Sequence, residues 1–185
     1  MIQFLGLVAA TALSCLLITA SPAAPPTSPP PKHVKGFELP NHVLQVNWGE
    51  LLPPNTESRA SQTPPPPVHT YLGESGPAAM QTGSAAVNPD LEGLTLRIPG
   101  FIVPLDENAE GLVTEFFLVP YYGACIHVPP PPPNQMVYVK PAKPVLVKDT
   151  FNAYWITGVM HVQVRRNHIA SSSYSMRVEK VEVYE

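Results

Sequence analysis

From Asp90 to the C-terminus, apolar and polar residues alternate with the two-residue period of half-buried strands. Leu94, Leu96 and Ile98 alternate with Thr95 and Arg97, and Phe101-Ile102-Val103 resumes the run after Pro99-Gly100. A Pro-Gly pair inside a strand predicts an interruption there: an edge, a bulge or a sharp bend. Asp106 to Gly111 reads as a turn. Thr114 to Val119 predicts a second strand and Met136 to Lys140 a third. Pro141 to Tyr154 is a connection, with room for one helical turn near Lys148 to Asn152. Trp155 to Val164 predicts the fourth strand, with Ile156, Met160, Val162 and Val164 on one face. Trp155, Thr157, Val159, His161 and Gln163 share its other face. Arg165 to Ser173 is a polar hairpin loop, and Tyr174 to Tyr184 the fifth strand. That strand changes phase: Tyr174, Met176 and Val178 face one way, and Val181 and Val183 fall on the opposite parity. A bulge at Glu179-Lys180 restores one apolar face. The fold class expected is therefore all-β with minor helix. Five short strands, bent at the first and last, predict a small Greek-key barrel of the OB type over 90–185. An open β-sandwich of the same strands is the alternative.

Before Asp90 the pattern is different. Phe4 to Ala20 is apolar apart from small hydroxyl residues, and Ser21-Pro22-Ala23-Ala24 follows. That predicts a signal peptide over 1–23 and a periplasmic or secreted mature chain. Two alternatives stay open. No Lys or Arg precedes the run, and its length reaches the bottom of the spanning range, as an uncleaved anchor requires. Ala12-Leu13-Ser14-Cys15 also suits lipoprotein processing, with a lipid anchor at Cys15. Residues 24–89 read as a Pro-rich arm. Pro22 to Pro31 predicts an extended polyproline-II tether, and Asn55 to Pro89 a polar linker broken by Pro64 to Pro67. Between them, near 43–53, Val43, Leu44, Val46 and Trp48 are apolar and prolines close the segment. A tryptophan is costly to leave in water, so Trp48 and Leu51 are expected to dock on the domain.

Charge removes some function classes. The net charge is −3, and the 25 prolines outnumber the 11 glycines. No basic field exists to hold nucleic acid, and no insertion of the mature domain into a membrane is expected. Of two cysteines, Cys15 falls in the N-terminal apolar run, so a processed chain keeps one thiol, Cys125.

Candidate chemistry gathers at Tyr121-Tyr122-Gly123-Ala124-Cys125-Ile126-His127-Val128, followed by Pro129, Pro130, Pro131, Pro132 and Pro133 and by Asn134-Gln135. On an extended chain, residues i and i+2 point the same way, so Cys125 and His127 share a face. Thiolate with imidazole suits zinc or copper(I). His161 is the candidate third ligand, and Asp106, Glu115 and His168 are weaker ones. A buried core cysteine is the plainer alternative. A thiol enzyme needs a base in contact with the sulfur, and neighbours on one strand lie about 6–7 Å apart. No Gly-x-Ser-x-Gly, His-Glu-x-x-His or phosphate loop occurs. The five prolines cannot form a strand; they either pack on their own domain or project as a rod for a partner's aromatic groove. Self-packing makes Tyr121, Tyr122, Pro129 to Pro133, Asn134 and Gln135 the walls of a binding groove with Cys125 and His127 at its rim.

Three stretches carry a family likeness. They are Leu96-Arg97-Ile98-Pro99-Gly100-Phe101-Ile102-Val103-Pro104-Leu105, then Glu115 to Gln135 around the cysteine, then Trp155-Ile156-Thr157-Gly158. Over roughly Trp48 to Tyr184 the chain closely resembles an exported bacterial family catalogued as domain of unknown function 3299. The resemblance implies a periplasmic protein or lipoprotein, often encoded beside ABC-type permease components and sometimes in a metal-related setting. It implies no established activity. The expected function is a non-catalytic binding or accessory protein, with an ABC-type permease complex as the candidate partner.

Overall fold

The computed structural model describes residues 34–54, 81–125 and 129–185. The expected signal peptide, the lipidation site at Cys15, the tether to Pro31, most of the linker and His127 lie outside the described residues. The fold is all-β. Strands β1 (Phe37–Leu39), β2 (Val43–Gln45), β3 (Thr95–Glu107), β4 (Val113–Val119), β5 (Val137–Val139), β6 (Ala153–His161) and β9 (Tyr174–Val183) form one sheet. β7 (Arg165–Arg166) and β8 (Ser171–Ser172) make a separate small hairpin. The sheet runs β1-β2-β3-β4-β5-β9-β6, and β3 also pairs with β6. The ring β3-β4-β5-β9-β6 is therefore closed, and β5 with β9 is its parallel pair. This closure order is that of a five-stranded OB barrel.

The alternation read from the sequence sets the inside. Leu96, Ile98, Ile102, Phe116, Leu118, Val137, Val139, Ile156, Met160, Tyr174 and Met176 are buried in one cluster. The phase change in the last strand is a register shift: Thr157 pairs with Lys180, and the next residue, Gly158, pairs with Val178. Glu179 is the extra residue, so Val178 and Val181 both pack against the core. Gly158 sits at this bulge because a Cβ there would lie 2.3 Å from the Arg177 carbonyl oxygen.

Two expectations need correction. Pro99-Gly100 does not interrupt β3, which stays paired with β6 from Thr95 to Phe101. The other edge of β3 explains this. β2 covers it at Leu96 and Arg97, β4 takes over from Phe101, and Pro99 falls in the gap. A missing N–H costs nothing where no strand waits for it. The Pro99 carbonyl on that edge accepts from Trp48 Nε1 at 2.7 Å. The helical turn expected near Lys148 to Asn152 is instead a bend and a turn with no helix; Asp149 accepts from the Phe151 N–H at 2.8 Å in its place.

The segment around Trp48 is joined to the barrel by polar as well as apolar contacts. Leu51 is fully buried in the main core and Trp48 packs against it. The buried Tyr174 hydroxyl donates to the Leu51 carbonyl at 2.6 Å and accepts from the Asn88 N–H at 2.7 Å. Asn88 Nδ2 donates to the Glu50 carbonyl at 2.9 Å. Burial pushes the Tyr174 phenol up to about 12, so it stays a hydroxyl donor at all working pH. Tyr174→Phe leaves a buried carbonyl and a buried N–H without their partner, at a cost of about 1–3 kcal/mol. The expected result is a lower urea midpoint at unchanged slope; an unchanged midpoint refutes the role given to the hydroxyl.

Candidate functional site

The OB barrel puts its second and third strands, here β4 and β5, under the face that such barrels use for ligands. In this protein the outward residues of β3, β4 and β5 carry a second apolar cluster. Val103, Phe117, Val119 and Met136 are buried there, with Tyr138 beside them. The cover comes from the chain itself: Tyr121, Ala124 and Cys125 from the turn after β4, and Ile169 and Ala170 from the tip of the β7–β8 hairpin. Phe117 meets Tyr138 edge to face at 6.2 Å.

Cys125 is not on an extended strand. It has φ +68° and Gly123 has φ +79°, so the stretch is a tight left-handed turn. The same-face rule for i and i+2 does not apply from such a residue. The Cys125 thiol is half-buried in the apolar cover, and burial pushes it up to about 11. Tyr121, which feels the same cover and the neighbouring thiol, is also raised.

The proline run lies across its own domain. Pro131 is buried, Pro130, Pro132 and Pro133 are half-buried, and Pro129 is exposed. Gln81 straps the run down. Its Nε2 donates to the carbonyls of Pro131 (2.7 Å) and Ser171 (2.8 Å), and its Oε1 accepts from the Ser171 N–H at 2.8 Å. The Pro133 carbonyl accepts from the Ser173 N–H at 2.7 Å, and the Pro132 carbonyl from the Gln135 N–H at 2.8 Å. Asn134 donates through its backbone N–H to Ser84 and through Nδ2 to Ala86. Gln135 Nε2 reaches the Trp48 carbonyl at 3.1 Å. Gly83 has φ +99°, and a Cβ there would lie 2.7 Å from Pro132. Residues 81–86 thus cover the run at Pro131, Pro132 and Asn134, and the run is not a projecting rod; Tyr122 and Pro129 stay exposed. Tyr121 keeps one tie to it, a 3.4 Å hydrogen bond from its hydroxyl to the Pro129 carbonyl.

His161 stands elsewhere, at the end of β6. Its Nδ1 is 2.9 Å from Glu92 Oε1, and Glu92 Oε2 accepts from the Val162 N–H at 2.6 Å. The hydrogen bond from His161, then that from Val162, hold the Glu92 carboxyl below its ordinary value. A carboxylate on Nδ1 leaves Nε2 for the shallow 250 Å³ cleft lined by Glu92, His161, Val162 and Gln163. Of the weaker candidates, Asp106 accepts from Thr114, Glu115 pairs with Lys140 at 2.5 Å, and His168 is exposed. Among the described residues, which omit His127, no three His, Cys, Asp or Glu side chains form a group able to hold a metal ion.

Gln81, Asn88 and Tyr174 were not singled out by sequence reasoning. Asn88-Pro89-Asp90 carries a turn signal, and Asn88 caps it through Oδ1. Gln81 has no local signal, because its partners Pro131 and Ser171 are distant in sequence.

The sequence matches the family described as "Protein of unknown function (DUF3299)" over residues 48–183. The chain belongs to the DUF3299 family. The DUF3299 match begins at Trp48, so the segment that fills the gap in β3 falls within it. A solved DUF3299 family protein from Pseudomonas aeruginosa PAO1 is 43% identical, with a TM-score of 0.63. The similarity covers 76% of this chain and 95% of that one. No curated protein matches the sequence.

Two outcomes follow from these environments. With its thiol near 11, against about 8.5–9 when unfolded, Cys125 in the folded chain should react with iodoacetamide at pH 8 roughly 100-fold more slowly than in urea. Equal rates would mean that the apolar cover does not hold. The Glu92 carboxyl should titrate below the ordinary carboxylate range by NMR and rise toward it in His161→Ala, where the Val162 bond remains. Because its folded value is depressed, its small stabilisation is present above the ordinary carboxylate range and lost as pH falls through the folded value. Titration at or above the ordinary range in the wild type refutes the His161 contact.

Proposed function

We propose that this DUF3299 protein is an exported, non-catalytic binding module of the bacterial envelope. The observation that carries the reading is the setting of Cys125. Its thiol lies in an apolar cover at about 11, and among the described residues no histidine or carboxylate is hydrogen-bonded to the sulfur. A nucleophile needs the opposite: a thiolate, or a base in contact. The rest of the central stretch supports the same reading, since Asn134 Nδ2, Gln135 Nε2 and the carbonyls of Pro131, Pro132 and Pro133 are spent on holding the chain together. An ABC-type permease complex is the partner that the family resemblance implies.

Metal handling at Cys125 and His127 is the ligand class proposed first, with zinc or copper as the ion; His161, held by Glu92, is left out of the site. Binding would have to displace the proton from Cys125, so its affinity should rise with pH by up to about tenfold per unit at neutral pH. Elemental analysis of protein purified under reducing conditions, with titration at pH 6 to 8, tests this. About one ion per chain, lost in the Cys125→Ser/His127→Ala double variant, supports it. Unchanged metal affinity in that variant removes metal from the proposal and leaves the binding module to another ligand.

A further inference from the structure

An aromatic platform adjoins the cluster that holds Cys125, reached through Phe101. Tyr122 and Phe151 stack with ring centroids 4.9 Å apart at 28°, and Phe101 meets Tyr122 edge-on at 6.1 Å. Phe151 is 68% exposed and Tyr122 43%. Large aromatic rings left in water together mark a contact surface, because burying them is the more stable arrangement. The platform is also held in place. The Tyr154 hydroxyl, on a side chain buried in the core, donates to the Asp149 carbonyl at 2.9 Å and sits 3.4 Å from the Asp149 N–H. Asp149 Oδ1 then accepts from the Phe151 N–H, and Oδ2 from Asn152 Nδ2 at 3.3 Å. The loop that offers the Phe151 ring is preordered, so little entropy is lost when a ligand settles on it.

We propose that the Tyr122–Phe151 platform, with Asp149 and Asn152 beside it, is a binding site for a neutral oligosaccharide. Three kinds of ligand stack on an exposed ring: a nucleobase, a proline and a sugar. The polar groups choose among them. An ionised carboxylate only accepts, and Asp149 retains acceptor capacity beyond its two bonds. Sugar hydroxyls donate to it, and Asn152 can answer a hydroxyl or an acetamido group. A proline-rich segment has almost no N–H to offer. A nucleotide brings phosphates to a carboxylate in a chain of net charge −3, with no basic field to offset them. Oligosaccharides are also among the ligands that OB barrels hold.

Isothermal titration of the full chain with a β-1,4-linked N-acetylglucosamine hexamer tests the site. The expected result is saturable binding with Kd of about 1 mM or tighter. Phe151→Ala should weaken it by about tenfold or more, the scale of one lost aromatic stack. Phe151→Trp should keep or tighten it. Both variants should melt with the wild type, because the ring is mostly in water; Tyr122→Ala serves as the second probe if one does not. Absence of saturable binding overturns the proposal, as does binding that none of the three substitutions moves. Oligothymidylate or a proline-rich peptide that binds the platform while the hexamer does not would overturn the sugar assignment.

Discussion

The Tyr174 hydroxyl joins pieces of chain that would otherwise have no reason to stay together. It sits at the start of the last strand, inside the barrel, and serves Leu51 and Asn88, whose segments come before the first barrel strand. Buried backbone groups must find partners, and here one side chain supplies two of them. The consequence spreads outward. With Leu51 held, Trp48 can fill the gap in β3 between β2 and β4. With Asn88 held, the segment before it can run along Pro131 to Asn134 and strap the proline run to the domain.

The same arrangement decides what the central stretch can be. A barrel of this class offers the outer face of its second and third strands. This chain has spent that face on a second apolar cluster closed by its own turn and hairpin tip. The cysteine that dominates the sequence is part of the closure. Its left-handed backbone and its raised thiol are two effects of one cause, a short turn forced down onto an apolar sheet. The side chains left free to meet a ligand are on the rims, in the loops after β4 and before β6, where aromatic rings stand in water.

Several elements were legible without coordinates. The alternation in β3, β4, β6 and β9 marked the inside of the barrel, and the parity slip at Glu179-Lys180 marked a bulge that the β6–β9 register contains. Both follow from a period of two, which no distant contact can alter. Pro99-Gly100 was legible only in part: the open edge that a proline signals is there, but the strand runs on through it. Whether a proline breaks a strand depends on what lies along its edge, and that edge is left open by β2 and β4 and met by a tryptophan about fifty residues earlier in the chain. The extended geometry assumed at Cys125 failed. The left-handed backbone at Cys125 belongs to a turn packed on the sheet, which a strand period does not reveal.

By itself the sequence determined the all-β class, the barrel strands, the rigidity of the five prolines and the presence of a single thiol within the DUF3299 match. These are local or compositional properties, written in neighbouring residues. Tertiary structure alone decided that the proline run is strapped down by Gln81 and that the strand β2 pairs in parallel with β3. It alone set His161 against Glu92 and gathered Phe101, Tyr122 and Phe151 into one platform. Each of these joins residues far apart in the chain, and only the folded chain brings them within reach.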